Sequence, residues 1–137
     1  MATAKFSGRF ESLAGIRKFV FHAASDAGFD EKEIYAVELA VDEACSNIIE
    51  HAYGGEGKGD IECTCNDIKG GLEIILKDVG KPFDPGTISQ PDFSVELEEI
   101  KPRGAGLFLI QNMMDDVDFE FSQKDGNVLR MVKRRKE

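Results

Sequence analysis

Residues 40–53, AVDEACSNIIEHAY, place the carboxylate of Glu43 four residues before the carboxamide of Asn47. Residues at that spacing share one side of a helix. A carboxylate so placed can serve as a general base, and an amide oxygen beside it can ligate a hard cation such as Mg²⁺, which takes oxygen ligands and keeps several waters. The same pair also suits the wet side of an ordinary amphipathic helix. A second cluster reads Asp78-Val79-Gly80-Lys81-Pro82-Phe83-Asp84-Pro85 and follows an apolar run. An aspartate at a strand end can accept from an amino group deep in a pocket, and Gly80 lets a ligand approach the backbone. Asp, Gly and Pro are equally the residues of a plain strand-to-turn exit. The third cluster is Arg103-Gly104-Ala105-Gly106-Leu107-Phe108. Free amides at a glycine-rich helix start can cradle phosphate, and Arg103 can add a charge-assisted contact. A flexible hinge is the other reading of the same residues. As a dinucleotide fingerprint the segment fails, because Leu109 occupies the third glycine position and no strand directly precedes it.

These residues need elements to hold them. Lys5–Phe10 alternates weakly and is expected as a first strand. Glu11 to Gly28 carries Leu13, Ile16, Val20, Ala23, Ala24 and Ala27 at helical spacing, with Gly28 as its stop. Asp30 with Glu33 three residues on forms a capping box, which starts a second helix expected to run to about Tyr53. On it Ile34, Val37, Val41, Cys45, Ile48 and Ala52 form one apolar stripe. Glu43 lies opposite that stripe and Asn47 about 40° further round. Ala36, Leu39 and Ala40 also fall on the far side, so the helix is apolar around most of its circumference with a polar pair set into it. Asp60–Ile68 and Gly71–Asp78 read as a hairpin joined at Lys69-Gly70-Gly71. The next roughly twenty residues hold all four prolines and little periodicity, as lids and binding loops do. Ala105–Met114 has helical spacing. Val117–Phe121 and Val128–Val132 alternate around an Asp125-Gly126-Asn127 turn. The order β-α-α-β-β-loop-α-β-β predicts a single α/β domain over 1–137. Its architecture is a two-layer sandwich with a mixed, mostly antiparallel sheet and helices on one face.

Composition limits the possible functions. The chain has 137 residues and a net charge of −9, from 26 acidic against 17 basic side chains. A broad nucleic-acid surface needs clustered Lys and Arg, so direct nucleic-acid binding is not expected. The only basic run, Lys133-Arg134-Arg135-Lys136, reads as a solvated end. Three cysteines and no secretory signal predict reduced thiols and a cytoplasmic setting. Cys63 and Cys65 share one strand face and read as buried small hydrophobes rather than zinc ligands. No stretch approaches the ~20 apolar residues of a membrane span. His51 reads as a packed or capping residue, His22 as a residue of the first helix, and Met113-Met114 as packing.

Each cluster is weak alone, but their order is informative. ELAVDEACSNIIEHAY resembles the N box of the ATPase superfamily shared by gyrase, mismatch-repair ATPases, Hsp-type chaperones and histidine kinases. DVGKPFDP resembles its first glycine box and RGAGLFLIQNMMD its second. The compact length, the EACSN form and the ending IQNMMDDV look most like the bacterial anti-sigma factors that are also serine kinases. The resemblance spans roughly residues 6–133 and implies a Bergerat-type, histidine-kinase-like ATP-binding fold. It further implies ATP and Mg²⁺ as cofactors, with Glu43 as general base and Asn47 as the metal ligand. Asp78 would accept from the adenine amino group with Gly80 beside the ring. Arg103, Gly104 and Gly106 would lie near the phosphates, and Phe83 and Leu107 would complete the nucleotide-binding set. Arg17 would hold a partner. The partners implied are a sigma factor and an anti-anti-sigma antagonist phosphorylated on serine, and a homodimer is a further implication. The same resemblance allows an ATP-sensitive module that sequesters its partner without kinase turnover, or a bare ATPase. The detached catalytic domain of a sensor kinase stands beside the bare ATPase, and no upstream phosphoacceptor helix is legible to support either. Neither His22 nor His51 sits in an obvious dimerisation hairpin, which argues against an autophosphorylating histidine kinase.

Overall fold

The computed structural model describes residues 1–82 and 102–135, with the backbone alone over 102–107. Phe83 and the long segment 83–101 therefore lie outside the described residues. The elements are β1 (Ala2–Ser7), α1 (Leu13–Asp26), α2 (Glu31–Asn47), β2 (Asp60–Ile68), β3 (Gly71–Asp78), α3 (Pro102–Met113), β4 (Asp116–Ser122) and β5 (Gly126–Arg134). A short 3-10 turn, Phe10–Ser12, precedes α1. A π-helical turn, Ile48–Ala52, continues α2.

The five strands lie in the order β1-β2-β3-β5-β4. All four pairings among the described residues are antiparallel, so the expected mixed sheet is corrected to one that is antiparallel throughout its described strands. The reason lies in the crossover through α3. The chain reaches the far edge first as β4, and the β4–β5 hairpin returns β5 into the gap beside β3. One register row, Ala4-Cys63-Leu76-Leu129-Phe119, shows the inner face. The next row, Thr3-Thr64-Ile75-Arg130-Asp118, shows the open one. Adjacent residues of a strand point to opposite faces, which is why the two rows differ so sharply in polarity. On the open face Arg130 donates to Glu73 and Asp118, and the bonds from Asn66 and Arg130 hold the Glu73 carboxyl below its usual range.

The helices cover the inner face. Ile16, Val20 and Ala24 of α1, Val37, Val41 and Cys45 of α2, and Ile110 of α3 close one core with Ile61, Ile74, Leu76 and Met131. The predicted stripe of α2 is this buried face. Ala40 and Ala44 are buried as well, because α2 is flanked by α1 on one side and α3 on the other. All three cysteines are free and buried, and burial pushes the Cys45 thiol far up.

Several boundaries differ from expectation. β1 starts at Ala2 and ends at Ser7, since its ladder with β2 runs from Ala2–Cys65 to Ser7–Asp60. Phe10 is turned out of the strand where its N–H meets the Glu56 carboxylate at 2.8 Å. α3 begins at Pro102 rather than Ala105, a first-turn position where proline's missing N–H costs nothing. The Arg103, Gly104, Gly106 and Leu107 positions thus lie inside the helix, not before it. The regular α2 helix stops at Asn47, and Tyr53 N–H reaches Ile48 O at 2.9 Å, an i→i−5 bond. Such π turns are frequent at functional sites.

The N-terminus of α2 is the capping box the spacing predicts. Asp30 accepts from Glu33 N–H at 2.7 Å, and Glu33 accepts from Asp30 N–H at 3.0 Å. Asp30→Ala should lower the unfolding free energy by about 1 kcal/mol. Urea unfolding monitored by circular dichroism measures this, and an unchanged midpoint would show that the cap contributes nothing.

A candidate nucleotide-binding cavity

Residues of α2 and its π turn, β3, α3, β4 and β5 enclose a cavity of about 380 Å³. That lies within the ~300–1,000 Å³ range of small-molecule sites. Its floor is apolar, with Ile48, Ile110, Phe119 and Leu129. Its polar lining includes Asn47, Glu50, His51, Asp78, Lys81 and Asn127.

Asp78 closes the inner end. Only 5% of it is exposed, at the last paired position of β3, opposite Asn127. Its Oδ1 accepts from Gly80 N–H at 2.9 Å and from Asn127 Nδ2 at 2.8 Å. Burial raises the carboxyl's pKa, and these two bonds work in the opposite direction without cancelling the rise. Asn127 Nδ2 also donates to Lys81 O at 2.7 Å.

The chain leaving β3 is fixed by α2's last turn. Lys81 N–H donates to Ala52 O at 2.8 Å, and a Cβ on Gly80 would stand 2.5 Å from the Ala52 backbone. What approaches the Gly80 backbone is thus a neighbouring segment of the chain, and Gly80 is not among the lining residues. Tyr53 adds a second tie. Its hydroxyl donates to Asp60 O at 2.6 Å and accepts from Val79 N–H at 3.0 Å. Burial pushes its phenol pKa up.

Of the two clustered residues on α2, the cavity takes Asn47 and not Glu43, although Ala44 directly after Glu43 belongs to its described lining. Glu43 is half-buried. Desolvation first, then the charges of Asp42 and Glu50, raise its carboxyl pKa. Asp42 pairs with Arg17 of α1 at 2.6 Å, so Arg17 stands on the surface beside Glu43 rather than in the cavity. Arg103, Gly104, Gly106 and Leu107 fall in the first turns of α3, the helix whose Ile110 lines the cavity.

Three of the lining residues that sequence reasoning missed bear on the chemistry of the cavity. His51 was expected to pack or cap, yet it faces the cavity and its buried Nε2 has no hydrogen-bond partner among the described residues. Glu50 lies beside it, with Oε2 3.8 Å from that nitrogen. Asn127 was read as a turn residue, but the turn is Gln123-Lys124-Asp125, and Gly126 and Asn127 are already paired residues of β5. No local signal could have paired it with Asp78, because 49 residues separate them.

The donor set can be tested against a metal and a nucleotide. Among the described residues no three His, Cys, Asp or Glu side chains converge as a metal cage. A cation here would rest on the Asn47 carboxamide oxygen and on ligand oxygens, which suits Mg²⁺ because it keeps waters and phosphates as ligands. Asp42, Glu43 and Glu50 put negative charge near Asn47, which favours a bound cation. A purine amine fits the acceptor at Asp78.

Comparison with known proteins places these features in a family. The sequence profile of the histidine kinase-like ATPase domain matches residues 6–133. The serine-protein kinase RsbW of Bacillus thuringiensis (strain Al Hakam) is 32% identical over 133 residues, covering 94% of this chain and 81% of that protein. RsbW of Bacillus cereus (strain ZK / E33L) matches with the same identity and coverage. The solved structure of the RsbU and RsbW domains of Rv1364c from Mycobacterium tuberculosis superposes with a TM-score of 0.64 at 12% identity. The match covers 98% of this chain and 32% of that longer one. The catalytic domain of histidine kinase ThkA superposes at 0.57 and 14% identity over 98% of both chains. At these identities the two structures speak for the fold alone. No helix among the described residues is long and apolar enough to cross a membrane. The profile match over nearly the whole chain agrees with the five-stranded sandwich, and on that evidence the chain belongs to the histidine kinase-like ATPase domain family.

Proposed function

We propose that this protein is an ATP- and Mg²⁺-dependent protein-serine kinase that also acts as an anti-sigma factor. It transfers the γ-phosphate to a serine of an anti-anti-sigma antagonist and uses the face around Arg17 to hold its partners. The observation that carries the nucleotide reading is the convergence of Asn47 and Asp78, 31 residues apart, on one cavity. The relatives named serine-protein kinase support the transfer step.

In this reading Asp78 accepts from the 6-amino group of adenine. Asn47 offers its carboxamide oxygen to the cation that accompanies the phosphates. Mg²⁺ supplies charge neutralisation when bound. Phosphoryl transfer needs positioning and electrostatic stabilisation more than covalent chemistry. Glu43 takes the proton of the incoming serine hydroxyl as its oxygen bonds to the γ-phosphorus and the bond to the β,γ-bridging oxygen breaks, releasing ADP. A carboxylate with a raised pKa is the stronger base for that step. Arg103, Gly104 and Gly106, with Phe83 and Leu107, complete the nucleotide site. The setting proposed is the cytoplasm, with no direct nucleic-acid contact, and with a homodimer as the proposed assembly.

One observation favours a second reading, a partner-sequestering module with little turnover. Glu43 stands outside the described lining of the cavity, and the half-buried Arg17–Asp42 pair offers a docking surface independent of catalysis.

Three outcomes test these assignments. Calorimetry with ATP and Mg²⁺ should show binding that falls by a factor of ten or more in Asn47→Ala, at the ~10-fold low end of metal-site losses; equal affinity would remove the metal-ligand role. Glu43→Gln should keep ATP binding but slow phosphorylation of an antagonist protein about 10²-fold or more. In the wild type that rate should fall as pH drops through the raised Glu43 pKa, because only the ionised carboxylate accepts a proton, so the loss begins at higher pH than an ordinary glutamate gives. A pH-independent rate, or full activity in Glu43→Gln, removes the base and leaves the sequestering module. Capture of a sigma factor should be lost in Arg17→Glu and kept in Glu43→Gln, as a pull-down reports; capture insensitive to Arg17 would move the docking face elsewhere.

A further inference from the structure

Asn127 is 7% exposed, lines the cavity, and pairs with Asp78 across the β3–β5 ladder. Both protons of its carboxamide nitrogen have acceptors close by. One is Asp78 Oδ1 at 2.8 Å and the other Lys81 O at 2.7 Å, with Gly80 O at 3.5 Å. Asp78 Oδ1 accepts twice, from Asn127 and from Gly80 N–H. Among the described residues nothing hydrogen-bonds Oδ2, so that oxygen is the one left for a ligand.

The nature of the donor matters as much as its position. A carboxamide NH₂ can only donate, so it favours the ionised, acceptor-only form of the carboxylate facing it. Asn127 also fixes where Asp78 points, because its second bond anchors it to the carbonyl of Lys81, the residue directly after Gly80. An ionised carboxylate suits a base edge that donates and is mismatched to one that accepts. A site built to hydrogen-bond one group rejects the analogue that leaves its buried polar atoms unpaired.

We infer that Asn127 is the positioning residue that sets base selectivity: donating to Asp78 Oδ1 and Lys81 O, it holds the carboxylate as an acceptor toward the cavity, which matches a 6-aminopurine and excludes a 6-oxopurine. The inference rests on the nucleotide reading and assigns a role to a residue which that reading does not use. Asn127→Asp tests it with almost no change in volume. A second carboxyl against Asp78 forces the pair to share a proton, which turns one oxygen into a donor. Asn127→Ala removes the donor outright.

The experiment is equilibrium binding of ATP and of inosine triphosphate, with Mg²⁺, to the wild type and both variants, with thermal melting to confirm folding. The wild type should prefer ATP by about tenfold or more. In Asn127→Asp the preference should shrink to within about threefold or invert, because the shared proton gives the base edge a donor. Asn127→Ala should weaken ATP more than inosine triphosphate. Should the folded variants lose affinity for both nucleotides in the same proportion, Asn127 is only a structural residue and the inference fails. Equal affinity of the wild type for both nucleotides overturns the inference while leaving the nucleotide site standing. No binding of either overturns the nucleotide reading itself and the inference with it. If only the alanine variant folds, its ATP-to-inosine-triphosphate ratio alone decides.

Discussion

A carboxylate buried at the end of a strand has to be hydrogen-bonded, because desolvating an unpaired charge costs several kcal/mol. Asp78 imposes that constraint here, and the surrounding backbone is arranged to meet it. Its Oδ1 takes the amide of Gly80, which bends the chain directly after β3. It also takes the carboxamide of Asn127, which requires β5 to lie beside β3 with Asn127 opposite Asp78. Gly126 precedes it with a φ of 75°, and a Cβ there would stand 2.3 Å from Asp78 O. Glycine alone suits that conformation and that proximity. The strand order β3-β5-β4 and the polar end of the cavity are thus two consequences of one pairing.

α2 faces the opposite problem. As the central helix it must be apolar toward the sheet, α1 and α3, yet supply polar groups to a cavity at its C-terminal end. The change from α to π geometry after Asn47 meets both needs. Ile48 and Ile49 stay buried while Glu50 and His51 are turned to the lining. The same turn presents Ala52 O to Lys81 and the Tyr53 hydroxyl to Val79, so the helix end holds the exit of β3 in place. Asn47 and Asp78 keep a fixed relation because the backbone segments carrying them are hydrogen-bonded to one another. A site on such supports needs little reorganisation when a ligand enters.

Charge completes the picture. Asp42, Glu43 and Glu50 cluster on a protein that is already acidic, and one of the three, Asp42, is paired with Arg17. A phosphate-rich ligand approaching that cluster would call for a cation, and among the described residues no three His, Cys, Asp or Glu side chains form a cage for one. Family membership and cavity chemistry therefore point the same way by independent routes, one from the whole chain and the other from a few side chains.

Local patterns settled most of the elements before any coordinates. The Asp60–Ile68 and Gly71–Asp78 strands, the Asp30 cap, the stripe on α2 and the order of elements rest on residues within a turn or a hairpin of each other, and periodicity reports such relations directly. The Glu43–Asn47 pair and the strand-end aspartate were legible for the same reason. The tertiary structure decided what lies far apart in the chain. It inserted β5 between β3 and β4, which made the sheet antiparallel throughout its described strands. It turned Asn127 from a turn residue into the partner of Asp78, and gave Gly80 a helix end to accommodate. It moved His51 from an expected packing or capping role to the cavity wall and left Glu43 beside the cavity. A sequence shows which side chains share a face of one element, but which faces meet is fixed only when the core closes and each buried polar group must find its partner.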